Sequence, residues 1–159
     1  MARRLPYTVG DWFCVPLRDG RWGAGRIVSV HPGGKALLGY FFAPFAQPPS
    51  ADVVASLEPA KAILIGKCGD SAIRRSAWPL VRSDVQFDAE RWPLPVFRNR
   101  DPITGVLRRV VYGDGDLLMP VVFSVSDDPS LADAPEDGAM GTGFVEVRLT
   151  RLSESLPAP

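Results

Sequence analysis

Apolar and polar residues alternate along the first forty residues in a pattern that predicts antiparallel strands. Residues 22–30, WGAGRIVSV, place alternate side chains on opposite faces of one strand. The Asp-Gly pair at 19–20 favours a tight hairpin turn after the apolar run at 12–17. The two glycines inside the second strand indicate a bulge, a sharp bend or a close approach of the backbone. With a third strand at 36–42, we predict a strongly bent antiparallel meander.

The pattern changes after the meander but continues to favour short elements. The proline-rich phrase FFAPFAQPP at 41–49 argues against a long regular element. Ser50 is suited to cap a short helix that runs through Leu57. We predict further strands at 61–67, 77–81, 107–112 and 118–125, with a loop over 84–105. The fold class is therefore predicted as β-rich α+β, with a strongly bent antiparallel sheet or partly open barrel and one or two short helices.

The C-terminal part begins with an acidic segment, and the secondary structure of the segment that follows is ambiguous. Between 126 and 141 the chain gains carboxylates and loses large apolar residues, which predicts a surface loop. Segment 144–152 fits one face of a helix or one face of a strand. We favour a helix, because Thr142 offers an N-cap and Glu146 would lie near the positive end of the helix dipole.

Length and composition describe an ordinary globular protein. The 159 residues suit a single domain over 1–159, with a core at about 8–125. Lys plus Arg and Asp plus Glu number 18 each, so no overall field attracts nucleic acid or a membrane. The N-terminal segment has charge without an apolar stretch behind it, and no run reaches the ~20 apolar residues of a membrane helix. We expect a cytoplasmic protein.

No group of residues predicts catalysis, a metal site or a cofactor. The single histidine, His31, precedes a Pro-Gly-Gly turn, and we expect it to be a solvated loop residue. Cys14 and Cys68 lie in separate predicted strands and are expected to be buried free thiols, too few for a zinc site. A small enzyme would require Asp11, Asp19 or His31 in a deep pocket with perturbed pKa values.

Basic and aromatic residues are interleaved in the meander, which raises an alternative function. A β-barrel module could stack nucleic-acid bases on such aromatic side chains. They are Trp12, Trp22, Tyr40 and Phe42. The zero net charge and the lack of a ribonucleoprotein-type motif count against this alternative.

Three short phrases follow one another near the N terminus: GDWFCVPL at 10–17, Asp-Gly at 19–20, and WGAGRI at 22–27. Together they resemble the immunity protein 26 family of bacterial polymorphic toxin systems, whose members open with G-D-x-F-x-[IV]-P-L, a D-G turn and a G-R-[IV] phrase. Further similarity lies in LGYFF, AILIGK and WPLV. The similarity spans about 9–95, and a looser one covers 141–149, whereas the proline-rich insert and the acidic loop depart from the family.

The resemblance implies a non-enzymatic protein that neutralises a toxin, with no catalytic residues to carry over. We expect it to bind the cognate toxin domain and to neutralise it by occlusion, without a cofactor. The contact surface is a separate hypothesis. Because many antibacterial toxins act on nucleic acids through basic clefts, we predict an acidic contact surface in the 126–141 loop. Its candidate residues are Asp127, Asp128, Asp133, Glu136 and Asp137. Trp92, Arg98 and Arg100 are predicted as exposed anchors in the long loop.

Overall fold

A computed structural model describes residues 3–82 and 86–159 of the chain. The strands are β1 (Trp12–Pro16), β2 (Trp22–Val30), β3 (Ala36–Phe45), β4 (Leu64–Gly69), β5 (Leu80–Val81), β6 (Phe97–Arg100), β7 (Leu107–Tyr112), β8 (Pro120–Val125) and β9 (Ala139–Met140). The α-helices are α1 (Ala51–Ala55), α2 (Ser71–Arg74) and α3 (Thr142–Ser153). Short 3-10 helices occupy Pro59–Lys61 and Pro129–Asp133.

The strands form two sheets. The larger sheet has six strands in the order β5-β1-β2-β3-β4-β9, and only its β4–β9 pair is parallel. The smaller sheet is antiparallel, in the order β6-β7-β8. The predicted β-rich α+β class, with a bent sheet and short helices, is confirmed. Within the described residues, neither sheet closes into a barrel.

Both faces of the six-stranded sheet are buried, because β2 and β3 carry apolar side chains in both phases of the strand alternation. One face forms the first core, which α2 and α3 cover with Ile73, Val145 and Leu149. The opposite face forms the second core, which α1 covers with Val54 and the smaller sheet covers with Val110. The sheet is therefore the middle layer of the fold.

The sequence predicts a bulge, a sharp bend or a close approach of the backbone in β2, and the structure has both bulges and a close approach in this strand. Register shifts next to Trp22 and after Ile27 mark bulges in the β2–β3 ladder. Gly25 lies opposite Phe13, and a Cβ atom at residue 25 would be only 2.2 Å from Phe13 Cζ. The Phe13 ring in turn stacks on Trp78 with centroids 5.5 Å apart. The close approach of backbone and ring is what requires glycine here.

The proline-rich phrase at 41–49 contains more strand than predicted. β3 continues to Phe45, past a cis peptide bond before Pro44. In the register, Phe42 pairs with Ala24 and Phe45 pairs with Trp22, so two residues of β3 face one residue of β2. Pro44 thus lies in a bulge, where the ladder needs no backbone donor. The prediction of an irregular segment is wrong up to that point.

Two further boundaries differ from the prediction. The loop expected over 84–105 contains β6, which exists through its pairing with the distant strand β7; residues 84 and 85 lie outside the described residues. Segment 144–152 is helical, as favoured, but the helix begins at Thr142 and its N-cap is the extended residue Gly141. Thr142 therefore does not cap it. Glu146 accepts a hydrogen bond from Trp78 Nε1 at 3.1 Å instead of lying in the first turn.

A candidate partner-binding cleft

The acidic segment 126–141 lies largely at the surface, as predicted, but it also contains a 3-10 helix and β9 and contacts both sheets. Its two large apolar side chains are the physical reason. Leu131 is buried within the 3-10 helix, and Met140 packs against the first core. Residues 139–140 then add β9 to the larger sheet, with Ala139 opposite Lys67. Burial of the two side chains fixes the path of the segment between them.

Arg98 of β6 connects the smaller sheet to this segment through its backbone and its side chain. Its N–H donates to Pro135 O at 2.9 Å, and its C=O accepts from Asp137 N at 2.8 Å. The guanidinium donates to the carbonyl oxygen of Ala132 and lies 3.4 Å from Glu136 Oε1. The position of residues 132–137 is therefore set largely by one arginine.

A buried polar network, formed by Lys67, Tyr112 and Asp137, joins the segment to both sheets. Lys67 Nζ donates to Tyr112 Oη at 2.6 Å and to Leu117 O at 3.2 Å, and lies 3.4 Å from Asp137 Oδ1. Tyr112 Oη donates to Asp137 Oδ1 at 2.6 Å. Burial, and then this bond to the carboxylate, raise the pKa of Tyr112 above its ordinary value. The Lys67 charge is compensated inside the protein, as a buried charge requires.

Between these elements lies a cleft of about 600 Å³. Its larger apolar lining residues, which we call the floor, are Ile63, Leu64, Ile65 and Met140, and Phe144 at the start of α3 is an exposed apolar residue of the same lining. The charged lining comprises Arg98, Asp133, Glu136, Asp137 and Arg148. The cleft thus combines apolar side chains with charged groups of both signs.

The three carboxylates of the cleft have different environments. Asp137 is largely buried and compensated by Lys67. Glu136 pairs with Arg98, but its side chain is still 65% exposed. Asp133 is exposed and forms no ion pair within the part of the chain that the structure describes. Negative charge available to a partner therefore comes from Asp133 and Glu136.

The structure brings together only part of the predicted contact set. Asp133, Glu136, Asp137 and Arg98 share the cleft. Arg100 lines a smaller concavity of about 300 Å³ that shares Arg98, Glu136 and Asp137 with it. Asp127 and Asp128 are exposed but lie outside the lining, beyond the end of β8. Hydrogen bonds from Ser130 to the Asp128 carboxylate lower the pKa of Asp128 and cap the 3-10 helix.

The expectation that Trp92 is exposed is wrong. Only 3% of this residue is accessible, and its ring packs edge-on against Trp12, Tyr40 and Phe42 at centroid distances of 5.6, 5.4 and 6.1 Å. The Arg26 guanidinium lies 4.8 Å from the same ring. Burial lowers the pKa of Arg26. Trp92 completes the second core, because it covers aromatic side chains of β1 and β3 that would otherwise face water.

The same packing removes the basis of the nucleic-acid alternative. Of the four aromatic residues that a base-stacking platform would use, three are buried in the second core. They are Trp12, Tyr40 and Phe42. Trp22 is half-buried beside them. The described residues of the meander therefore offer no row of exposed rings along the sheet.

The residues considered for an enzyme, Asp11, Asp19 and His31, line neither of the two concavities described above. Asp11 accepts from Thr8 N at 2.9 Å, and the hydrogen bond with Arg21 lowers the pKa of Asp19. His31 is partly buried and its Nδ1 accepts from Leu117 N at 3.4 Å, so the expectation of a solvated histidine is wrong. Asp19 and His31 lie beyond opposite ends of β2.

The two thiols are buried and free, as predicted. Burial raises the pKa of Cys14 to about 11 and that of Cys68 to about 12. A thiol with such a pKa stays protonated at neutral pH and is a poor nucleophile. Within residues 3–82 and 86–159, no group of three or more His, Cys, Asp and Glu side chains is arranged to hold a metal ion.

Sequence reasoning missed Lys67, Tyr112 and Phe144. One signal was available for Lys67, which ends the apolar run AILIGK in a strand predicted to be central. A lysine in such a strand needs a buried partner, since lysine is almost never buried alone. The sequence does not show which of the many carboxylates is that partner, because Lys67 and Asp137 are 70 residues apart in the chain.

The fold and the cleft define the structural class of the protein. It is a β-rich α+β protein whose larger sheet is open and covered on both faces, and it has a preformed cleft at one end. Comparison with protein-family models then gives the family. Residues 8–105, 98 of the 159, match the model described as Immunity protein 26, and the chain belongs to that family. Searches of curated proteins and of solved structures gave no match. Among the described residues, no helix is long and apolar enough to cross a membrane.

Proposed function

We propose that this immunity protein binds a cognate toxin domain of a polymorphic toxin system in the cytoplasm of the producing cell. It neutralises the toxin by covering the toxin's active cleft and catalyses no reaction. Family membership supports the class of function. The observation that carries the proposal for the surface is the preformed cleft between β4, β6 and the acidic segment.

Rigidity of the cleft supports its use as a binding surface. Backbone bonds to Arg98 and the buried Lys67–Tyr112–Asp137 network hold the acidic segment before any partner arrives. A partner then binds without ordering this segment, which removes one of the main costs of association. Because the segment is already ordered, an interface of small area is sufficient to bind one partner specifically.

The charges and the apolar floor indicate the chemistry of the partner segment. Asp133 and Glu136 favour a basic side chain at the rim, and exposed Phe144 offers an aromatic anchor beside the apolar floor. We infer that the toxin inserts a loop with a Lys or Arg next to an apolar residue. Such a loop would border a basic, nucleic-acid-cutting active cleft.

The test uses the C-terminal domain of the secreted toxin that the proposal expects to be encoded next to this gene. Asp133→Lys/Glu136→Lys reverses both rim charges while leaving Asp137 and the buried network intact. Calorimetric titration should show binding weakened by roughly 10–100-fold, because rim charges govern encounter and a reversed pair repels. Protection of cells that express the toxin should fall in parallel.

The matched control reverses two exposed carboxylates away from the cleft. Glu90→Lys/Glu154→Lys changes the net charge by the same amount at exposed positions outside the lining. Equal loss of toxin binding in both double variants would mean that overall charge matters and the cleft does not. Failure of the unaltered protein to bind the toxin domain would overturn the proposed function itself.

A further inference from the structure

The short strand β9 covers only part of the outer edge of β4. It pairs with residues 67–68, whereas β4 begins at Leu64. Before β9 the chain turns away toward β6, where Asp137 N–H donates to the carbonyl oxygen of Arg98. Within the described residues, no strand therefore covers the outer edge of β4 at residues 64–66.

The backbone groups of Ile65 point to this uncovered edge. In an antiparallel sheet, a residue directs its N–H and its C=O to the same neighbouring strand, and successive residues alternate. Ile27 bonds through both groups to the segment that leads into β1, so its neighbour Arg26 bonds to Tyr40 of β3. Tyr40 also lies opposite Ile65, but its backbone groups are directed to Arg26. Those of Ile65 therefore face away from β3.

No hydrogen bond within residues 3–82 and 86–159 uses these two groups of Ile65 on the outer side. The uncovered edge is short. It is bounded by β9 at one end and by a bulge at the other, where Ile63 donates to Phe41 and Leu64 pairs with the same residue. An unpaired strand edge is a template for another chain, and here it fits a short extended segment.

This edge lies in the floor of the cleft, between two layers of the fold. On the first-core side, where Leu64 packs, α3 lines the cleft with Phe144. On the second-core side, where Ile65 packs, the acidic segment continues from β6 and lines the cleft with Asp133 and Glu136. A segment placed beside β4 is therefore enclosed by the helix on one face and by carboxylates on the other.

We propose that the toxin domain adds a short extended segment to β4 at Ile65, in line with β9. This inference rests on the proposed function and specifies how the cleft holds its partner. The segment bonds to both the N–H and the C=O of Ile65, whether it runs parallel or antiparallel to β4. These main-chain bonds supply affinity, and the side chains of the segment supply specificity.

The two layers determine the side chains that fit. The side chain opposite Ile65 lies on the same face as Ile65 and points toward the acidic segment, whereas its two neighbours point toward α3. Asp133 and Glu136 favour a lysine or arginine at the central position. Phe144 favours apolar side chains on the other face, and Arg148, which lines the cleft there, disfavours basic ones. The segment therefore has the order apolar, basic, apolar.

The test titrates the toxin domain into two variants of residue 65. Ile65→Pro removes the outward N–H and breaks no bond to β3, which is the setting in which an edge strand accepts proline. Ile65→Ala, the matched control, removes the side chain and keeps the N–H. Calorimetry should show the proline variant binding at least about tenfold more weakly than the alanine variant, because a buried acceptor of the toxin loses its donor. Equal binding by the two variants would overturn the proposal.

A second measurement uses the unaltered chain and does not depend on a variant folding. Exchange of the Ile65 amide hydrogen should slow at least about tenfold when the toxin domain is bound, since the amide becomes hydrogen-bonded. Exchange at Gly66, whose N–H is directed to β3, should change much less. An Ile65 amide that a bound toxin domain leaves unprotected overturns strand addition while the proposed function stands. A toxin domain that does not bind overturns both.

Discussion

The two sheets contain strands with the same sequence pattern but present them differently. In β3 of the larger sheet, ALLGYFFAPF is apolar in both phases, and helices and the smaller sheet cover both of its faces. In β8 of the smaller sheet, PVVFSV is also apolar in both phases, yet it is exposed along its length. A strand that is apolar in both phases therefore indicates that both of its faces need to be buried, but it does not predict which element buries them.

The family match ends close to the boundary between the larger sheet and the smaller one. The matched residues, 8–105, include β1 to β6. They therefore contain every strand of the larger sheet except the short strand β9, together with the first strand of the smaller sheet. β7, β8, the acidic segment and α3 follow that range. The cleft takes Ile63, Ile65 and Arg98 from the matched part and Asp133, Glu136, Met140 and Phe144 from the rest. The lining of the candidate cleft is thus contributed by both parts of the chain.

The largest expected effect separates the covered sheet from the exposed one. Phe13→Ala removes a ring that stacks on Trp78 and covers Gly25, and it should lower the free energy of unfolding by about 3–5 kcal/mol. Phe123→Ala, the matched truncation in β8, should cost less than about 1 kcal/mol, because the Phe123 side chain is largely exposed. Urea denaturation followed by tryptophan fluorescence measures both. Equal costs would contradict the distinction between the two sheets.

A smaller effect should appear where the two sheets are connected. Asp137→Asn leaves the buried Lys67 ammonium without its carboxylate, and we expect a loss of about 3 kcal/mol in the free energy of unfolding. Amide exchange of residues 133–141 should accelerate as the segment loosens. Asp133→Asn removes an exposed carboxylate of the same segment and should change stability by less than about 0.5 kcal/mol. If both variants behave alike, the Lys67 network does not hold the segment.

The smallest effect is a dependence on alkaline pH that originates in the larger sheet. Burial raises the pKa of Cys14 and Cys68 from 9.0 to about 11 and about 12. Above about pH 9 the unfolded chain loses these protons and the folded chain keeps them, so stability is complete below that pH and falls as pH rises toward 11–12. The slope is about 1.4 kcal/mol per pH unit for each thiol.

Urea midpoints between about pH 8 and about pH 9.5 measure this loss, because the tyrosines, whose raised pKa values start from an ordinary 10.0, contribute increasingly above that range. Cys14→Ala/Cys68→Ala should flatten the pH dependence, whereas Phe123→Ala in the smaller sheet should leave its slope unchanged. A steep alkaline loss that survives in the cysteine-free variant would show that other groups cause it.

Local patterns were sufficient to predict elements that local interactions form. β2 occupies the predicted residues 22–30, and Ser50 caps α1 by accepting a hydrogen bond from Val53 N. Elements formed by distant pairings were missed. β6 and β9 are two to four residues long and exist because β7 and β4 present free edges to them. Strands this short carry no periodic signal of their own.

The candidate site was predictable in composition but not in geometry. The acidic character of 126–141 is visible in the sequence, and three of its five candidate carboxylates line the cleft. Their division into a buried group, Asp137, and exposed groups depends on Lys67, which no local pattern connects to them. The exposure of Trp92 was wrongly predicted for a related reason, because a tryptophan followed by two prolines, Pro93 and Pro95, has the same sequence context whether it is exposed or covers a core.

The way in which Arg98 holds the acidic segment has a consequence for how such proteins diversify. Two of its contacts join main-chain atoms at residues 98, 135 and 137, so the route of the chain along the groove does not depend on the side chains at 133 and 136. Substitutions at these two residues should therefore leave the framework of the segment in place. Under the proposed function, such substitutions would change which toxin is bound at little cost to folding.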